Sequence, residues 1–225
     1  MKLSVIIPVY NEKPLIQKII HRILDVELDK EIIIVDDYST DGTREILKGS
    51  NDKRIKVLFH DENYGKGGAV RTGLKNASSD WVIIQDADLE YDPRDYLILA
   101  EPIRANRAEV VYGSRFLGSG YKSFGFLQFV ANRVLTLVTN ILFGARLTDM
   151  ETCYKMVPLS LMRELNLESN GFEIEAEITA KILRRKIRIV EVPISYLGRN
   201  YQEGKKIRAK DGLLTLFALL KYRFR

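Results

Sequence analysis

Cysteine is nearly absent: Cys153 is the one thiol in 225 residues. No internal disulfide and no CxxC metal or redox pair can form, and a reducing, cytosolic setting is the expectation. No uncharged apolar run approaches the roughly 20 residues that a membrane-spanning helix needs. Residues 1–8 read as a short strand running into a proline, without the apolar stretch and cleavage site of a signal peptide. Internal repeats, low-complexity tracts and Pro/Gly/Ser linkers are also missing. One domain over residues 1–225, long enough to bury a full core, is the expectation. Acids are scarce towards the end: beyond Lys181 only Glu191, Glu203 and Asp211 face a long series of Lys and Arg, in a chain of net charge +5. That basic end suits phosphates or anionic lipid; no nucleic-acid-reading motif accompanies it, and no nucleic-acid partner is expected.

What is present is a regular alternation. Apolar runs at residues 3–10, 31–37, 55–60, 81–88 and 109–115 read as strands. Between them, residues 13–28, 39–47, 67–76 and 93–105 carry helical spacing, with Thr40 or Asp41 as a cap for the second. The run at 31–37 does not alternate, as in parallel strands buried on both faces. Repeated β-α units of this kind predict a doubly wound, mainly parallel sheet with its ligand at the carboxyl ends of the strands. Beyond Arg115 come a glycine-rich loop, a long apolar helix at 126–143 with Arg133 in it, and helices near 159–165 and from 172. A strand at 187–197, a basic loop and an apolar, basic tail follow, the tail suited to a membrane surface and equally to packing against the sheet or to a membrane partner subunit.

Three acidic clusters sit at predicted strand ends: Glu12 after the first strand, Asp36-Asp37 after the second, and Asp86, Asp88 and Glu90 after the fourth. Like charges brought into one crevice need compensation, and a hard divalent cation such as Mg²⁺ or Mn²⁺ supplies it with open positions for substrate phosphates. Asp36 and Asp41 also suit plain turn-capping roles, and Asp92 before Pro93 suits a helix cap. Asn63-Tyr64-Gly65-Lys66-Gly67-Gly68 brings glycines to a helix start and allows close backbone approach to a nucleotide. It is neither GxGxxG nor a Walker sequence. A hydroxyl acceptor would need a general base, for which Asp149, and after it Glu173 or Glu175, are candidates. Cys153 reads as a small core residue.

IPVYNE (7–12), IVDDYSTDGT (34–43), NYGKGGAVRTG (63–73), DADLEYDP (86–93), VYGSRF (111–116) and LTDMETCYK (147–155) occur in that order. EVPISYLGR (191–199) and EGKKI (203–207) follow them. Together they resemble glycosyltransferase family 2, and within it the dolichyl-phosphate (polyprenyl-phosphate) hexosyltransferases such as the dolichyl-phosphate mannose synthases. The resemblance covers nearly the whole chain. It implies a GT-A fold with a nucleotide-sugar-binding half (1–115) and an acceptor-side half (116–225).

By the same resemblance Pro8, Tyr10, Glu12, Asp37, Lys66, Asp86 and Arg199 bind the nucleotide sugar, GDP-mannose or UDP-glucose. Asp86, Asp88 and Glu90 hold Mg²⁺ or Mn²⁺, and Glu90 stands where the mannose synthases often have Gln. Arg115 and Arg133 meet the acceptor phosphate, and Asp88, Asp149 and Arg115 are the catalytic set. The implied reaction inverts the anomeric centre and moves a hexose to polyprenyl or dolichyl phosphate at the cytoplasmic face of a membrane, with a membrane surface or membrane subunit as partner. The alternatives are a soluble family 2 enzyme with a hydroxyl acceptor and a non-catalytic nucleotide-sugar-binding subunit. Relatives often continue GKKI with Gly-Trp, where this chain has Arg208-Ala209.

Overall fold

The computed structural model describes residues 1–118, 121–122, 125–198 and 209–225. In its first half β1 (Leu3–Val9), α1 (Ile16–Leu24), β2 (Lys30–Asp36), α2 (Thr43–Lys48), β3 (Ile55–Phe59), α3 (Gly65–Asn76) and β4 (Trp81–Ile84) alternate as the patterning predicts. A single 3₁₀ turn at Pro93–Asp95 leads into α4 (Tyr96–Arg104), and β5 (Val110–Ser114) closes this half. The second half carries β6 (Tyr121–Lys122), α5 (Phe126–Phe143), β7 (Lys155–Pro158), α6 (Leu159–Glu164) and α7 (Ile174–Arg184). It ends with β8 (Ile189–Pro193), β9 (Tyr196–Leu197) and α8 (Ala209–Phe224).

Seven strands form one sheet in the order β3-β2-β1-β4-β7-β5-β8. Every neighbouring pair is parallel except those of β7, which runs antiparallel between β4 and β5. The β-branched runs of β1 and β2 are buried along almost their whole length, because a central parallel strand shows neither face to water. β6 and β9 pair in parallel as a separate two-stranded ribbon.

From β1 the chain steps outward to β2 and β3, then crosses back to lay β4 on the other side of β1. With right-handed crossovers, that reversal sends the flanking helices to opposite faces and opens a crevice between the carboxyl ends of β1 and β4.

The boundaries differ from the sequence reading in physically informative ways. β4 ends at Ile84, so Asp86 and Asp88 lie in the loop beyond the strand. α1 starts at Ile16, after a turn in which Leu15 and Ile16 donate their amides to the Glu12 carbonyl. α2 is capped by Gly42 at a φ of 98°, while the Asp41 carboxylate accepts the Thr43 amide at 3.0 Å. Asp92 accepts the Arg94 amide, the capping role expected of it. Within 147–157 the sequence shows no strand, yet Lys155–Pro158 enters the middle of the sheet.

Candidate active site

At the crevice the loops that leave β1 and β2 are stitched together. The Asn11 amide donates to Ser39 Oγ at 2.9 Å, Asn11 Oδ1 accepts the Thr40 amide at 2.8 Å, and the Glu12 amide donates to Thr43 Oγ1 at 3.1 Å. Asp36 turns away, fully buried, against Arg44 Nε at 3.2 Å and the Ser39 amide, the turn role expected of it. Asp37 is a hub. Its carboxylate accepts the amides of Tyr64 at 2.9 Å and Gly65 at 2.8 Å and meets His60 Nδ1 at 2.7 Å, while His60 Nε2 reaches Thr72 Oγ1 at 2.9 Å.

The glycines of NYGKGG admit a neighbouring stretch of backbone, and Gly65 also lines the cleft described below. A Cβ on Gly65 would sit 2.4 Å from the Asn170 carbonyl oxygen, and one on Gly67 would sit 2.1 Å from that of Ser169. The backbone they admit is the 168–171 loop that leads into α7, and the Gly67 amide donates to the Asn170 carbonyl at 2.7 Å. Arg71 adds hydrogen bonds to the Ser169 carbonyl and, at 2.5 Å, to Asn170 Oδ1. This docking brings Lys66 into the crevice beside Glu175.

A cleft of about 260 Å³ results. Pro8, Tyr10, Glu12 and Asp37 are among the residues that line it, as are Lys66, Asp86, Asp88, Glu90, Arg115 and Glu175. Ten of the candidate site residues named from the sequence thus converge on one space. Lys66 Nζ lies 2.8 Å from Asp86 Oδ1 and 3.1 Å from Glu175 Oε1. Burial alone would depress the ammonium's pKa, but its anionic surroundings, Asp86 foremost and Glu175 among them, more than reverse this and hold it charged.

Among the described residues no three carboxylate, imidazole or thiolate side chains form a ready metal cage, so Asp86, Asp88 and Glu90 are not a preformed three-ligand set. Asp86 faces Lys66, and Glu90, buried, accepts a hydrogen bond from the Tyr196 hydroxyl. Asp88 Oδ1 accepts the Glu90 amide at 3.1 Å across Leu89, whose φ of 64° is unusual for a leucine and turns the loop into the cleft. The donor set that remains, two carboxylates at a strand end, fits a hard ion of the Mg²⁺ or Mn²⁺ kind, which is commonly held by one or two carboxylates and completed by substrate phosphates.

Across the cleft Arg115 leaves the end of β5. Asp149 grips it twice, Oδ2 to Nε and Oδ1 to Nη2, both at 2.7 Å, and also accepts its amide at 3.0 Å. Burial works against the guanidinium's charge, but Asp149 overcomes it and raises the pKa above the usual value. The ring of Tyr196 lies 5.1 Å away.

Asp149 itself is fully buried, outside the cleft lining, with both oxygens committed. This corrects its placing as a catalytic base: it is a positioning residue for Arg115. Glu191 holds the Asp149 segment in turn, accepting the amides of Thr148 at 2.7 Å and Asp149 at 3.0 Å. Arg133 is exposed on α5, outside the cleft lining, with its guanidinium 5.7 Å from the Phe116 ring. Arg199 lies outside the described residues. Glu173 accepts the Gly171 amide at 3.0 Å, a local cap, and Glu175 pairs with Lys155 Nζ at 2.5 Å as well as with Lys66.

The sequence reading missed Glu151 and Tyr196. Glu151 lines the cleft; its Oε1 is buried and has no hydrogen-bond partner among the described residues. Burial pushes its carboxyl up to a pKa of about 7. Cys153 is buried on the cleft wall, its thiol donating to the Ile84 carbonyl at 3.3 Å, and burial raises its pKa, so it is no thiolate nucleophile.

The glycosyl transferase family 2 model matches residues 4–157, about two thirds of the sequence, and the chain belongs to that family. It is a glycosyltransferase with a GT-A fold. Over 96% of its length it is 29% identical to a UDP-N-acetylglucosamine–dolichyl-phosphate N-acetylglucosaminyltransferase of Methanococcus voltae, covering 93% of that protein. Over 91% of its length it is 29% identical to an undecaprenyl-phosphate mannosyltransferase of Micrococcus luteus, covering 87% of it. Glucosyl-3-phosphoglycerate synthase from Mycobacterium tuberculosis, solved with Mn²⁺, uridine diphosphate and phosphoglyceric acid, superposes with a TM-score of 0.75 at 19% identity. That match covers 99% of this chain and 78% of the synthase.

Proposed function

We propose that this glycosyltransferase moves one hexose, mannose or glucose, from a nucleoside-diphosphate sugar to a polyprenyl phosphate at the cytoplasmic face of a membrane. The observation that carries this reading is the opposition of charge within one cleft: Asp86 and Asp88 beyond β4, and the buried Arg115 guanidinium beyond β5. The names of the two relatives support a polyprenyl-type phosphate as acceptor. The division into a nucleotide-sugar half, 1–115, and an acceptor half, 116–225, belongs to the same proposal.

In this mechanism Pro8, Tyr10, Glu12 and Asp37 border the nucleoside, and the diphosphate lies against the Asp86–Asp88 loop. Mg²⁺ or Mn²⁺ held by Asp88 and Asp86 would act there as a Lewis acid for the departing diphosphate. Arg115, fixed by Asp149, orients the acceptor phosphate. One of the acceptor's anionic oxygens forms the new bond to the anomeric carbon on the face opposite the leaving group. The bond to the diphosphate breaks as it forms, and the nucleoside diphosphate leaves with the electron pair. No proton has to move, since the attacking oxygen is already ionised at neutral pH.

Two helices equip the protein for a lipid surface. Leu137 and Ile141 of α5 are exposed, as are Leu213, Phe217 and Phe224 of α8, and the two helices pack together. Arg133, Lys210 and Arg223 add positive charge on the same two helices. Among the described residues no helix is long and apolar enough to cross a membrane, so the reading is of helices lying in the plane of the interface.

The test is a donor panel: radiolabelled UDP-glucose, GDP-mannose and UDP-N-acetylglucosamine with polyprenyl phosphate and Mg²⁺ or Mn²⁺, scored by label extracted into organic solvent. Lipid-linked label from UDP-glucose or GDP-mannose, lost in Asp88→Ala, is the expected result; label from neither, or from UDP-N-acetylglucosamine alone, defeats the reading.

A further inference from the structure

We propose that Glu151 recognises the donor sugar, its carboxylate accepting a hydrogen bond from a hydroxyl of the hexose being transferred. The inference deepens the function proposed above and rests on it. Its first ground is position along the sheet edge. β7 runs antiparallel beside β4, so the residues entering β7 lie at the same edge as those leaving β4. A nucleotide sugar with its nucleoside at the ends of β2 and β1 and its diphosphate at the Asp86–Asp88 loop carries its hexose one strand further, to the entrance of β7. Glu151 stands there, on the cleft wall. One strand beyond, at the end of β5, stands Arg115, where the function proposed above puts the acceptor phosphate. The order of chemistry across the edge is therefore nucleoside, diphosphate, sugar and acceptor phosphate.

The second ground is the state of the carboxylate. Buried polar atoms in folded proteins nearly always have hydrogen-bond partners, and a buried oxygen without one calls for an explanation. Glu151 Oε1 is such an atom among the described residues. The nearby cations are committed elsewhere. Lys155 Nζ bonds Glu175 at 2.5 Å and the Thr152 carbonyl at 2.6 Å, Lys66 bridges Asp86 and Glu175, and Arg115 is clamped by Asp149.

A third ground is complementarity. Its carboxylate form, which a bound hydrogen-bond donor would favour over the acid of pKa about 7, only accepts hydrogen bonds, so phosphate oxygens, donor or acceptor, are repelled by it. Among the parts of the donor that reach this strand, the sugar hydroxyls are the groups able to donate. A site built to bond a particular hydroxyl rejects analogues without it, so Glu151 acts as a specificity residue as well as a binding one.

The experiment measures binding without acceptor and without turnover. Calorimetry with Mg²⁺ compares UDP-glucose with UDP, and GDP-mannose with GDP, on the full chain and on Glu151→Ala and Glu151→Gln. For the pair that the unsubstituted protein binds, Glu151→Ala should weaken the nucleotide sugar by about tenfold or more and leave the free nucleoside diphosphate within about twofold. Glu151→Gln, which keeps one acceptor oxygen, should fall between. A structural role would weaken both ligands together, and that result overturns the proposal. So does unchanged binding of both by Glu151→Ala, including the case in which turnover alone is lost, which would make Glu151 a proton-transfer group. If the unsubstituted protein binds none of the four nucleotides, the functional reading fails and the inference fails with it.

Discussion

Arg115 and Asp149 form the most consequential pair of side chains in the molecule. A guanidinium held in a buried position by a bidentate carboxylate is pre-aimed at an anion, and it loses little side-chain freedom when the anion arrives. Removing the carboxylate leaves an unpaired buried charge, which costs about 3–5 kcal/mol. Asp149→Ala should therefore lower the melting temperature by on the order of 10 °C for a domain of this size. Arg115→Met leaves the Asp149 carboxylate buried and unpaired in its turn, so it should be destabilised to a comparable degree while also losing affinity for a lipid phosphate. Thermal melts of both variants check this, and equal melting of Asp149→Ala and the parent would contradict it. The sequence places Asp149 and Arg115 as interesting residues but carries no sign of which oxygens face the cleft. Commitment of a carboxylate to a neighbour is a property of three-dimensional packing. For the same reason Glu151 passes unnoticed beside Asp149 in LTDMETCYK: the two acids share one spacing, and only packing shows that Asp149 is spent on Arg115 while Glu151 lines the cleft.

Among the elements, α3 shows how a glycine cluster can serve the close approach of a neighbouring loop, here 168–171. Glycine clusters before a helix suit a nucleotide and a crossing segment equally, and only the partner distinguishes them. Gly67→Ala would force a Cβ to within 2.1 Å of the Ser169 carbonyl oxygen and 2.8 Å of its carbon, so the loop or α3 must move. A destabilisation of about 1–3 kcal/mol is expected, with weaker nucleotide binding because Lys66 moves with the helix. Gly49→Ala, whose Cβ would meet only an ordinary 3.5 Å contact, is the matching control and should be close to neutral. Urea titrations of the two variants decide the point; equal midpoints would contradict the close approach. The main strands were legible because buried parallel strands are apolar at successive positions, as in β1 and β2. β7 was not, because a four-residue strand within TCYKMVP has neither the length nor the alternation that identifies one. Its antiparallel entry is nevertheless what brings Glu151 and Cys153 to the cleft.

At the scale of the whole molecule, the proposed function joins two features, a charged cleft that would take the nucleotide and exposed apolar residues on α5 and α8 that would meet the acceptor's lipid tail. Ile141 and Phe217 are 72% and 67% exposed, a cost that contact with lipid would relieve. Replacing both with Asp should reduce co-sedimentation with anionic phospholipid vesicles several-fold without lowering the melting temperature. Equal partitioning of parent and variant would remove the surface role of these helices. The central claim, that the acceptor is a phosphate which attacks without help from a base, is tested most directly by offering one labelled nucleotide sugar to a polyprenyl phosphate and to the same polyprenol without its phosphate. Label should pass to the phosphate alone, and transfer to the free alcohol at a comparable rate would contradict the account.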